Sequence, residues 1–144
     1  MLTVNEKGNI GLIEVIRDLT KKGYECFTPI HDYSDVDLIA LDKNFVTYKI
    51  QVKYREKYRN VIEVPFRTVV NGKSVPINFN AIDGWAVYCP EIEKVVYVSK
   101  NDVDLNKGSF AFRLEETNHS NGKEKRKLYT EFGALGEWLK PVVC

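Results

Sequence analysis

Apolar residues recur at helical spacing near the start of the chain and then switch to a period of two. Thr3-Val-Asn-Glu6 has the form of a capping box, Leu12, Val15, Ile16 and Leu19 follow on one helical stripe, and Gly23 supplies a stop. The spacing predicts a first helix there. "YECFT" reads as a short strand, "PIHDYS" as a loop, and "VDLIAL" as a strand apolar on both faces, which suits a central place in a sheet. After the turn "DKN", residues 46–54 alternate: Val46, Tyr48, Ile50, Val52 and Tyr54 fall on one face, Thr47, Lys49, Gln51 and Lys53 on the other.

Further on, "VVNGKSV" reads as a hairpin turning at Asn71-Gly72 and standing out as an exposed arm, and "WAVYCPEIEKVVYVS" as a second hairpin closed by "PEIEK". "SFAFRL" is a further strand. "EETNHSNGKEKRK" is a polar loop carrying Lys123, Lys125, Arg126 and Lys127. "TEFGALGEWLK" offers a Thr cap with Phe132, Leu135 and Leu139 at helical spacing, so a short C-terminal helix is expected despite Gly133 and Gly136. Together the elements make an α/β domain with a mixed central β-sheet flanked by helices.

At 144 residues the chain has the size of one domain, 1–144, long enough to bury roughly 70% of the surface its unfolded form exposes. Lys and Arg number 21 against 20 Asp and Glu. Such a balance excludes a general polycation, and an anionic partner has to be met by a local patch. Cys26, Cys89 and Cys144 are an odd set without metal-ligand spacing, and the first residues lack the apolar core of a signal peptide, which points to a reduced, cytoplasmic protein. No apolar run approaches the roughly 20 residues that span a bilayer, so no membrane partner is expected. His31 and His119 lie in turn-like sequence without an orienting neighbour for nucleophilic work.

The chemistry-bearing residues lie within "SDVDLIALDKNFVTYKIQVKYRE". If the strands at 36–41 and 46–54 pair antiparallel across their short turn, Asp37 comes to lie opposite Gln51-Val52-Lys53. A hard cation there could take the Asp37 carboxylate, the Gln51 side-chain carbonyl and the Val52 main-chain carbonyl, while Lys53 reaches the attacking water or the scissile phosphate. Glu14, at the border of the helical stripe, could contact such a site directly or through water. The same Gln and Lys would equally suit the wet face of an ordinary antiparallel sheet. A lone Asp leading into an apolar strand is harder to place, because a buried carboxylate costs several kcal/mol unless paired, hydrogen-bonded or metal-bound; a local turn would also satisfy it. Asp83, in "AIDGWAVY", opens a strand in the same way and is expected to make a structural hydrogen bond.

The order of these elements, a helix with Gly8, Gly11 and Glu14, a short strand, a strand opening with Asp, and a strand carrying Gln-x-Lys, resembles the PD-(D/E)XK nuclease superfamily. It is most similar to the Gln-x-Lys branch typified by a cyanobacterial group I intron homing endonuclease. The resemblance covers residues 5–98 and implies a restriction-endonuclease-like core and a Mg2+-dependent, sequence-specific double-strand DNA endonuclease, with Mn2+ as a substitute. It assigns Glu14 to the helix glutamate, Asp37 to the metal-binding aspartate, Gln51 to a position usually Glu or Asp, and Lys53 to the catalytic lysine. Val36 stands where the family name has proline. A Holliday-junction resolvase, a restriction-type nuclease and a non-catalytic DNA-binding module are the rival functions.

Lys49, Arg55, Lys57 and Arg59 form a cationic stretch with Lys53, interleaved with Tyr48, Tyr54 and Tyr58, that suits a phosphate backbone or a solvated strand face. Arg67 and Lys73 belong to the Asn71-Gly72 hairpin, which could enter a groove as a two-stranded ribbon or be an ordinary exposed hairpin. A long, partly palindromic target exceeds one protomer and implies a homo-oligomer, a dimer or tetramer, with "GALGEWL" and "PVVC" as interface pieces.

Overall fold

The structure is a computed structural model that describes residues 1–31, 34–116 and 126–138. The first helix forms where the capping box predicts it: α1 runs Val4–Lys21, with Glu6 N donating to Thr3 Oγ1 (3.1 Å) and Thr3 N to Glu6 Oε1 (3.0 Å). Its buried stripe is Gly11, Val15 and Leu19. At Gly11 the helix comes close to the sheet, since a Cβ there would lie 3.3 Å from Tyr54 Cβ.

The strands follow as β1 (Glu25–Phe27), β2 (Leu38–Leu41), β3 (Thr47–Tyr54), β4 (Val61–Pro65), β5 (Arg67–Val70), β6 (Lys73–Pro76), β7 (Gly84–Cys89), β8 (Lys94–Ser99), β9 (Ser109–Arg113) and β10 (Lys127–Leu128). A five-stranded sheet has the order β1-β2-β3-β7-β8; β3 and β7 run parallel and the other pairs antiparallel, so the sheet is mixed as expected. β10-β9-β4 form a second sheet and β5-β6 a separate hairpin. The hairpin turns at Asn71 and Gly72, both at positive φ (50° and 77°), the left-handed pair that matches strand twist.

Two apolar clusters hold the sheets together. Val15 and Leu19 of α1 pack with Leu38, Ala40, Tyr48 and Ile50 on one face of the five-stranded sheet. Trp85, Val87, Val96 and Val98 pack with Ile62, Val64, Phe110 and Phe112 on the other. A helix covers one face and strands, rather than a helix, cover the second. β4 has little signal of its own in the sequence, because its alternation is cut short by Pro65 and merges with the cationic run before it.

The C-terminal segment also departs from expectation. Instead of one helix it makes two separate 3-10 turns, Tyr129–Glu131 and Leu135–Glu137, with Phe132 in extended backbone between them. Gly133 and Gly136 weaken a helix where only a few apolar residues reward it. Leu135 and Trp138 are nevertheless buried against the α1 face. Leu139 and "PVVC", like His119, Lys123 and Lys125, lie outside the described residues. Among the described residues no helix is long and apolar enough to cross a membrane.

Candidate active site

The register of β2 on β3 brings the candidate residues together. Leu38 pairs with Ile50, so Asp37, just ahead of β2, stands beside Gln51. Its N–H donates to the Ile50 carbonyl (3.0 Å), and its Oδ2 accepts the Val52 N–H (2.8 Å). Even-numbered residues of β3 turn their main-chain groups toward β2, so the Val52 carbonyl points to the same edge, just ahead of where β2 starts. A carboxylate and a main-chain carbonyl thus share one strand edge.

Asp37 is half-buried. Burial pushes its carboxyl up from 3.8 to about 6, more than the Val52 N–H and the Lys53 ammonium pull it down, and the nearby charge of Asp35 adds to the rise. The ionised form is therefore short of positive charge. Asp37 also opens on a cleft of about 450 Å3 lined by Gly8, Leu12, Ser34, Val36 and Val52 among others.

Lys53 shares the face of Gln51, as the alternation predicts. Its Nζ donates to the Arg67 carbonyl at the start of the hairpin (2.8 Å). Burial lowers its pKa, Asp37 raises it, and Arg55 lowers it again. Gln51 is only 2% exposed, so this face of β3 is not a wet one. Its Oε1 accepts the Trp85 indole N–H (3.2 Å) and its Nε2 donates to the Asp35 carbonyl (3.3 Å).

Glu14 is not brought to this group. It lies 3.7 Å from Arg17 and lines a different cleft with Asp18, Tyr88 and Lys94. Asp35 and Trp85, by contrast, were not singled out in the sequence and prove to be neighbours of the site. Asp35 had a signal, standing two residues ahead of Asp37; Trp85 had none, because its contact depends on the parallel pairing of Gln51 with β7.

The Lys49 main-chain N–H donates to Asp83 Oδ2 (2.8 Å), the structural hydrogen bond expected of Asp83. Arg55 Nε donates to the Glu63 carbonyl (2.8 Å). Lys57 is exposed with its N–H on Glu91, and Arg59 lies 5.4 Å from the Tyr58 ring centroid. Arg67 braces its hairpin through Ser74, and Lys73 is exposed beside the turn.

A carboxylate at the start of one strand, with a lysine on the next and a helix behind, is the arrangement of a nuclease core, and the sequence profile of the PD-(D/E)XK endonucleases matches residues 2–134. The chain belongs to that family and is a nuclease. Among solved structures it is similar to a bacterial homing endonuclease, I-Ssp6803I, with a TM-score of 0.66 and 21% identity over 91% of this chain and 88% of that one. At that identity the likeness is one of fold. No curated protein matches the chain.

Proposed function

We propose that the protein is a divalent-cation-dependent, sequence-specific double-strand DNA endonuclease of the homing type, working as a homo-oligomer whose identical protomers face the two strands. One observation carries the catalytic part: the Asp37 carboxylate, short of compensating charge, lies on the same strand edge as the Val52 carbonyl and beside Lys53. The homing part is supported by the fold shared with I-Ssp6803I.

Among the described residues no set of three or more His, Cys, Asp or Glu is grouped to hold an ion. One carboxylate and one main-chain carbonyl suit Mg2+, which keeps several waters and takes the rest of its shell from substrate phosphate. Bound there, the ion supplies charge stabilisation at the phosphate and a more acidic water. Asp37 and Val52 are the residues that would hold it. Lys53, released from the Arg67 carbonyl, places its ammonium at the scissile phosphate or the attacking water. Lys49, Arg55, Lys57 and Arg59 follow the backbone, and Arg67 and Lys73 carry the hairpin toward a groove.

Incubation with a randomised duplex library and Mg2+, followed by sequencing of ends, tests the proposal. Ends at one long, partly symmetric sequence are the expected result. Preference for branched substrates would make it a resolvase, and absence of ends on duplex and branched DNA at every protein concentration would leave a DNA-binding module.

A further inference from the structure

Gln51 occupies a position where its neighbours dictate which way an amide must face. The Trp85 indole N–H can only donate and the main-chain carbonyl of Asp35 can only accept. With these at 3.2 Å and 3.3 Å, the oxygen must turn to Trp85 and the NH2 to Asp35; the flipped amide would satisfy neither. The connection continues beyond Asp35, whose Oδ2 accepts the N–H of Asn78, just past the hairpin (3.2 Å). Asp35 lies two residues before Asp37, and Val52, which clamps Asp37, is the next residue after Gln51.

We infer that Trp85 and Gln51 are positioning residues that fix the Asp35–Asp37 segment, and that Gln51 acts on the cation through Asp37 instead of as a ligand. The inference rests on Asp37 as the cation-holding carboxylate. An amide suits this place because it spans a donor in the core and an acceptor on the loop, which neither a leucine nor an ionised carboxylate does. Trp85 is fully buried between Phe66 and Phe110, whose ring centroids are 5.3 Å and 4.9 Å away, so the anchored end of the connection is rigid. The Gln51 oxygen is committed to that anchor.

Trp85→Phe separates the two roles, because it keeps an aromatic ring and removes only the donor and some bulk. A ligand oxygen freed from Trp85 would bind Mn2+ as well as before or better. A latch that has lost its anchor binds it worse, by about 10-fold, the usual cost of removing a group that orients a metal ligand. Calorimetric Mn2+ titration of the DNA-free protein reads this directly, with thermal unfolding run alongside. Hydrogen exchange at the Asn78 and Val52 amides is the second readout and needs no metal: protection at both should fall in Trp85→Phe, and also in Gln51→Leu should the first variant fold poorly. Unchanged protection in the folded variants overturns the latch, as does unchanged or tighter Mn2+ binding in Trp85→Phe. If wild type takes up no Mn2+ while protection falls, the latch stands and the cation-dependent function fails.

Discussion

Asp37 and Asp83 look alike in the sequence, each leading into an apolar strand, and the structure gives each a main-chain N–H of β3 to hold. Asp83 Oδ2 accepts from Lys49 and Asp37 Oδ2 from Val52, both at 2.8 Å. They part on the two edges of β3. Asp83 sits where β7 begins: its own N–H donates to the Lys49 carbonyl (2.8 Å) and its carbonyl accepts from Lys100 (3.0 Å), so it ties three segments together. Asp37 sits just before β2 begins, beside Lys53 and a cleft, with burial holding its carboxyl at about 6. A satisfied hydrogen bond is common to both; what distinguishes the site is that Asp37 opens on a cleft beside Lys53 and the Val52 carbonyl, with burial raising its carboxyl.

The largest expected effects would separate the two aspartates in cleavage. Asp37→Asn and Lys53→Ala should each lower cleavage by about 10^2-fold or more, since groups acting on the transition state are typically worth that much. Asp83→Asn keeps an acceptor for the Lys49 N–H and should stay within a few-fold of wild type. Cleavage assays on folded protein check all three, and an equal loss in the two aspartate variants would erase the contrast.

Stability should move the opposite way. In the metal-free protein the folded state holds the Asp37 proton more tightly than the unfolded chain, so stability is lost as pH rises from 3.8 to about 6. Asp37→Asn removes that cost and should stabilise the protein at neutral pH by about 1–2 kcal/mol. Asp83→Ala leaves the Lys49 N–H without its acceptor and should destabilise by about 1–3 kcal/mol. Denaturant unfolding at pH 4 and pH 7 reads both signs. The smallest effect concerns the DNA: Lys57→Ala and Lys73→Ala should each reduce the slope of log affinity against log salt by about 0.9 if they neutralise one phosphate apiece, leaving the two aspartates' contrast untouched.

What could be foreseen in the sequence was set by local pattern. The capping box, the Asn71-Gly72 hairpin and the alternation of β3 are each written within a few residues, and each formed as expected. The short turn after β2 made the meeting of Asp37 with Gln51 foreseeable too. The C-terminal helix failed because two glycines and three apolar positions are a weak local signal, and packing decided in favour of 3-10 turns. Burial of Gln51 was hidden for another reason. It depends on β3 pairing with β7 and on β4 and β9 closing over that face, which are long-range arrangements. Glu14 lay on a suitable flank of α1, yet it lines a neighbouring cleft with Asp18, Tyr88 and Lys94.

The most direct measurement of the central claim is a calorimetric titration of Mn2+ into wild type, Asp37→Asn and Asp83→Asn at pH 7 without DNA. Uptake in wild type and Asp83→Asn, with loss of at least about 10-fold in affinity for Asp37→Asn, is the predicted result. Equal uptake in all three would contradict the account, because the under-compensated carboxylate would then have no part in holding the ion.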